Sequence, residues 1–255
     1  MKLFRSIFII INYKTWIITL FAIVATWLCG YYNIQAEFPL NLIGLAIVFP
    51  VVFSIDSAYK RREKALGYLG DFKAHLLALA HASRDWIDPK SEEFHKETKS
   101  RLVDLYTALR QTFVEGKQKE GEAEISVYKK ISELSVFLQE FRKLGLQVGE
   151  MSRVSQYISK LSVAMENMLV ILHYRTPITL RAYSRLFIYS FPLIYAPYFV
   201  SISKDYYPML TYAMPIIFSF IFVSLDNIQS HLEDPFDQIG EDDIKFDVEK
   251  FEKLM

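Results

Sequence analysis

A charge-free stretch between Glu37 and Asp56 is the feature that most limits how this chain can fold. Crossing a hydrocarbon core takes about 20 apolar residues in a helix, so this stretch is predicted to be a membrane span. Leu45, Phe49 and Phe53 recur at every fourth position and therefore lie along one stripe of the helix. Such a stripe packs against neighbouring helices or lipid. In a ring of identical subunits, it could instead line an apolar neck of a pore.

Three further apolar stretches, 15–36, 186–203 and 206–225, predict a total of four spans together with 38–59. Residues 1–13 suit a short interfacial helix. Lysine and arginine flank the first two spans on the side that holds the N-terminus and the chain after residue 59. The positive-inside rule therefore predicts a multi-pass protein of the cell membrane with both termini in the cytoplasm.

Between these pairs of spans, the chain is charged, poor in glycine and amphipathic with helical spacing. Helices are predicted near 57–87, 91–115, 122–144 and 150–173. With no hard break after Pro50, the second span is expected to continue into the first of them. The predicted class is all-α. The predicted domains are 1–59 with the first two spans, 60–175 as a cytoplasmic helical domain, 176–230 with the last two spans, and 231–255 as an acidic tail.

Composition and motifs argue against several function classes. The chain has 255 residues, and its 29 basic residues balance 29 acidic ones, so nothing indicates nucleic-acid binding. No nucleophile elbow, phosphate-binding glycine loop or zinc-protease motif occurs, so neither an enzyme nor a cofactor is predicted. His75 and His81 lie on nearly opposite sides of a helix and are not expected to share a metal.

The acidic tail is the one candidate cation site. Carboxylates are suitable calcium ligands, and the candidates are Asp234, Glu241, Asp242 and Asp243. Their spacing does not match an EF-hand loop, and acidic tails are usually solvated. No metal site is therefore predicted here.

Two segments, GLAIVFPVVFSIDSAYKRREKALGYLG at 44–70 and SLDNIQSHLEDPF at 224–236, resemble the bestrophin family of pentameric ion channels. The order of parts also agrees: two spans, a helical insert, two more spans and then the D-P-F box. The resemblance is good at both ends of the chain and weak in the middle. It implies a homopentamer in a lipid bilayer that passes small monovalent ions, chloride in many members and sodium or other cations in some bacterial ones.

The resemblance also assigns residues. The family's three-residue neck falls on Leu45, Phe49 and Phe53, and a second, lower narrowing falls close to Met151. Calcium-gated members follow the D-P-F box at once with Gly-Glu-Asp, whereas here 237–239 intervene, so calcium gating is not expected.

Ion selectivity stays open at this stage. Asp56 shares a face with Phe53, and a ring of such carboxylates would repel anions. Lys60 follows at i+4 and is predicted to offset it, while Glu150 beside the lower narrowing favours cations. The alternative function is a non-conducting membrane scaffold whose cytoplasmic helices bind partner proteins.

Overall fold

The computed structural model of the chain describes residues 11–37, 40–115, 121–174, 177–205, 210–238 and 243–255. Within these ranges the regular structure is entirely helical and contains no strand, so the predicted all-α class is confirmed. The helices are α1 Tyr13–Tyr31, α2 Leu40–Asp85, α3 Glu92–Arg110 with a π-helical turn Gln111–Glu115, α4 Glu122–Phe137, α5 Glu140–Lys143, α6 Val148–His173, α7 Ile178–Ile194, α8 Ala196–Asp205, α9 Leu210–Glu233 and α10 Val248–Glu252.

Helix α2 is the longest element, with 46 residues, and includes Pro50. The predicted continuity of the helix from the stretch 38–59 into the next helix is confirmed. That its first part spans the membrane stays a prediction. The predicted helix over 122–144 is divided instead into α4 and the short α5, because the chain turns at Leu138 and Gln139. Gly145 ends α5 with a φ of +82°, a conformation that only glycine adopts at little cost.

The chain divides into two compact units. The first unit comprises Met1–Arg62 and Arg175–Asp234, and the second comprises Glu63–Tyr174 and Pro235–Met255. Helix α2 therefore contributes its first half to one unit and its second half to the other.

In the first unit, α1 packs against α7, α8 and α9 through a face of small residues. Thr15, Thr19, Ala22 and Thr26 are buried at helical spacing. Thr19 Oγ1 donates to the carbonyl of Thr15 at 2.7 Å, so its hydroxyl is satisfied within the helix. Small side chains allow the backbones of membrane helices to approach closely. This explains why the face of α1 that carries them is buried against the other helices.

Two described helical segments, Tyr13–Tyr31 and Thr211–Glu233, are long and apolar enough to cross a membrane. Ile178–Ile194 and Ala196–Ile202 form a third candidate as a pair bent by 41°. Pro197 has no N–H to donate to the preceding turn, which is why the helix cannot continue straight there. The start of α2 is not among these segments in the described part of the chain, so the count of four spans stays a prediction. The predicted interfacial helix falls almost wholly outside the described residues.

In the second unit, the core forms between the second half of α2 and helices α3, α4 and α6. Part of the stretch 231–255, expected from its acids to be a tail, joins this core. Phe236 is fully buried with its ring 4.6 Å from that of Phe113, and Phe251 is fully buried 4.5 Å from Tyr106. Apolar anchors, not acids, therefore determine where the end of the chain lies.

Candidate functional site

The stripe predicted from the sequence lies on the uncovered side of α2. Leu45, Phe49 and Phe53 are exposed by 55%, 51% and 60%, although they sit in an apolar helix. The rings of Phe49 and Phe53 are 6.1 Å apart between centroids and nearly parallel, at 23°. The three side chains therefore form one continuous apolar surface about 12 Å long, taking 1.5 Å of rise per residue over eight residues.

The opposite side of the same helix is packed within the first unit. Ile47 and Val51 are buried in one cluster with Phe191 of α7, and Ser54 and Ala58 extend this buried face by two more turns. Because a helix turns by about 100° per residue, the buried positions and the stripe fall on different faces. Among the described residues, helix α2 thus has one buried side and one apolar side that stays exposed.

Asp56 follows the stripe and forms an ion pair with Lys60, with 2.6 Å between Oδ2 and Nζ. The predicted i+4 pairing is confirmed. Both side chains are exposed, so the pair contributes little to stability. It does neutralise the charge that a lone carboxylate would place next to Phe53.

The proposed lower narrowing lies at the start of α6 in the second unit. Met151 is only 4% exposed and packs into the core of that unit. Val148, one turn earlier, is 88% exposed, and Glu150 in the same turn is half-buried. Val148 is therefore the apolar side chain that this turn presents to its surroundings.

Two buried carboxylates join α9 to α7, and neither was assigned a role from the sequence. Asp226 is fully buried and accepts from Arg185 Nε at 3.0 Å and from the hydroxyl of Tyr189 at 2.8 Å. Glu233, also buried, accepts from Arg181 at 2.7 Å. The sequence signal was Asp226 directly after the predicted span 206–225, since a charge beside such a span is costly to bury unless it is paired. The matching arginines lie more than forty residues earlier, at a separation that helical spacing does not reveal.

The chain is similar in structure to solved bacterial bestrophin homologues. One variant of the protein from Klebsiella pneumoniae superimposes with a TM-score of 0.77 at 17% identity, over 99% of this chain and 96% of that chain. Two other variants of it give 0.75, over 98% and 97%, and 0.74, over 99% and 96%, both at 17% identity. This chain has the bestrophin fold. The resemblance inferred from two sequence segments is therefore confirmed at the level of the fold.

Neither the family models nor the curated protein sequences contain a match to the chain. The bestrophin fold, together with the long apolar helices, makes this a membrane protein. The matched structures span the whole length of the chain, including the middle, where the sequence resemblance was weak.

In the described part of the chain, the acidic residues near the C-terminal end do not form a cation site. Asp234 and Asp243 are described, whereas Glu241 and Asp242 lie outside the described residues. Among the described residues, no three histidine, cysteine, aspartate or glutamate side chains come together as metal ligands.

His75, which was not expected to share a metal with His81, stacks on Tyr157 with 5.9 Å between ring centroids. Burial and the nearby Lys160 lower the pKa of His75 below its ordinary value, although Asp71 acts in the opposite direction. The neutral imidazole is thus favoured and serves as a flat packing surface between α2 and α6. His81 is exposed.

Proposed function

We propose that this protein is an ion channel that passively conducts small monovalent ions through a ring of identical subunits. The carrying observation is the exposed apolar stripe on a helix whose other face is packed, in a chain with the bestrophin fold. A homopentamer is the assembly implied by the family resemblance. Each copy would contribute Leu45, Phe49 and Phe53 to three stacked rings, and both termini would lie on the cytoplasmic side.

The rings would act by shape and by excluding water. Apolar side chains bind neither anions nor cations, so ions pass only while the neck is wide enough to stay wet. The side chains of Phe49 and Phe53 stack on each other within one chain. This supports a coordinated movement of the two layers of the neck that they would form. A small rotation of α2 would then open or close the neck at both levels together.

The second narrowing is placed in the same turn as Met151, with Val148 as the side chain that forms it. Met151 supports that turn from within the core of the second unit, whereas the exposed Val148 is free to face an axis of symmetry. Val148→Ala would widen the passage there while leaving the core intact.

Weak discrimination between anions and cations is the expected property of the neck. Asp56 is paired with Lys60, so a ring of these pairs carries no net charge next to Phe53. Glu150 is the remaining acid near the second narrowing and would tip the balance towards cations. Asp56→Asn should then leave an unpaired lysine and shift the preference towards anions.

The test is a planar bilayer containing the purified protein under an asymmetric NaCl gradient. The reversal potential reports conduction and ion preference together. Phe49→Ala combined with Phe53→Ala should raise the conductance or abolish closure. Phe21→Ala is the matched control, because Phe21 is 57% exposed on the apolar helix α1 and lies outside the stripe.

Unchanged currents in the double variant, with the same particle mass as the unmodified protein, would contradict a neck at these residues. Chemical crosslinking in mild detergent measures the assembly independently. A monomer or dimer that carries no current would instead favour the non-conducting scaffold.

A further inference from the structure

A surface cavity of about 440 Å³ lies where α5 turns into α6. It belongs entirely to the second unit and is lined by Arg142, Leu146, Val148, Met151, Ser152 and Ser155. Cavities that hold small molecules measure about 300–1,000 Å³, so this one is large enough for a compact ligand.

The charge in this cavity belongs to Arg142. Within the described part of the chain its guanidinium forms no ion pair with a carboxylate. The nearest acid along the chain, Glu140, is bound by Lys143 at 2.6 Å. An unpaired guanidinium at a cavity wall favours a planar oxyanion, which it can bind through two parallel N–H groups.

A hydroxyl donor lies on the same wall. Ser152 makes no side-chain hydrogen bond to the described residues, so its O–H can donate to a ligand. Ser155 already donates its hydroxyl hydrogen to the carbonyl of Met151 at 3.1 Å and therefore contributes only to the shape. Glu150, the acid of this turn, does not line the cavity.

The rest of the lining is apolar. Leu146 and Met151 line the cavity and are buried, and Val148 lines it and is exposed. The cavity therefore combines cationic and hydrogen-bonding side chains with apolar ones. Inorganic anions gain nothing from the apolar side chains, whereas a carboxylate with a short hydrocarbon chain uses both kinds.

We propose that this cavity is a binding site for a small organic carboxylate whose hydrocarbon chain lies on Leu146 and Met151 while Arg142 and Ser152 hold the carboxylate. The proposal does not depend on ion conduction, because the site is complete within one chain. Since Val148 forms both the cavity edge and the proposed narrowing, occupancy would also alter that narrowing in a conducting channel.

The experiment is isothermal titration of the full chain in detergent, at constant chloride, with butyrate, acetate and phosphate as separate probes. Butyrate should bind about tenfold more tightly than acetate, because two more methylene groups leave water. Arg142→Gln should weaken butyrate binding by about tenfold or more, the usual effect of losing a charged hydrogen bond. Ser152→Phe should abolish binding by filling the cavity.

Arg153→Gln is the matched control, since Arg153 is an exposed arginine on α6, the helix of Ser152, and does not line the cavity. It should bind butyrate as the unmodified chain does. The proposal is overturned if butyrate does not bind at millimolar concentration, if Arg142→Gln binds it equally well, or if phosphate binds as tightly as butyrate. None of these readouts requires current through a pore.

Discussion

Removing the buried carboxylate of Asp226 should destabilise the protein far more than removing the exposed carboxylate of Asp56. Both are aspartates paired with a basic side chain, at 3.0 Å to Arg185 Nε and 2.6 Å to Lys60 Nζ. They differ in environment, because the Asp226 side chain is 1% exposed and that of Asp56 is 47% exposed. Comparing the two substitutions therefore tests how much a paired aspartate contributes to stability when it is buried and when it is exposed.

The magnitude for Asp226→Ala follows from what the substitution leaves behind. Breaking a buried ion pair costs about 3–5 kcal/mol, because the remaining charge stays desolvated without a partner. Arg185 retains access to solvent and a hydrogen bond to Ser230, which lowers the expected loss to about 2–3 kcal/mol. The hydroxyl of Tyr189 also loses its acceptor. Asp56→Ala should cost about 1 kcal/mol or less, as exposed pairs do.

The assay is chemical or thermal unfolding of purified protein in detergent, followed by tryptophan fluorescence. Tyr189→Phe provides a second measurement, because it removes one hydrogen bond to Asp226 and should cost about 1 kcal/mol. Combined with Asp226→Ala, it should add almost nothing, since the two side chains share one interaction. Equal stability losses for Asp226→Ala and Asp56→Ala would refute the argument that the buried ion pair between Asp226 and Arg185 stabilises the contact of α9 with α7 more than an exposed pair could.

Three further substitutions test the second unit by the same unfolding assay. Phe236→Ala should cost about 3–5 kcal/mol and expose the end of the chain to proteolysis, because a fully buried ring on Phe113 is lost. Tyr106→Phe should be neutral or stabilising at pH 7, since the buried Tyr106 hydroxyl has no hydrogen-bond partner among the described residues. Burial, with a smaller effect of Asp247, raises the pKa of Tyr106 to about 12, so the unmodified protein should lose stability between about pH 10 and pH 12 and the variant should lose less. Gly145→Ala should cost about 1–2 kcal/mol, because its φ of +82° strains any side chain.

Each of these has a contrary outcome. If Tyr106→Phe leaves the alkaline loss as it was, burial of that hydroxyl is not its cause. Proteolysis of Phe236→Ala at the rate of the unmodified chain would show that other contacts hold the end of the chain. A Gly145→Ala variant of unchanged stability would contradict the left-handed turn after α5.

Much of the helical framework follows from local pattern. The spacing of apolar residues predicts the helices of the second unit to within a few residues, apart from the turn at Leu138 and Gln139 that divides one of them. The continuity of α2 follows from the lack of a break after Pro50, and the pairing of Asp56 with Lys60 follows from i+4 spacing. Each of these depends on residues close together in the chain.

Contacts between distant segments were not predictable in this way. Arg185 and Asp226 are separated by 41 residues, and each alone resembles an ordinary charge at the end of a helix. Phe236 and Phe251 lie in a stretch dominated by acids, so their burial on α3 and the π-helical turn was not expected. Met151 carries an apolar side chain that suits a pore lining as well as a protein core. Only the packing of the second unit shows that it lies in the core.

The sequence by itself determined that this chain is helical, that it has apolar segments of membrane length, and that Leu45, Phe49 and Phe53 share one stripe. These properties depend on the 3.6-residue period and on hydrophobicity, which are local. Tertiary structure decided which side of α2 is covered. The start of that helix is apolar all round, so Ile47 and Leu45 look equivalent in sequence. Only packing in the cluster that includes Phe191 and Phe222 buries Ile47, whereas Leu45 stays 55% exposed.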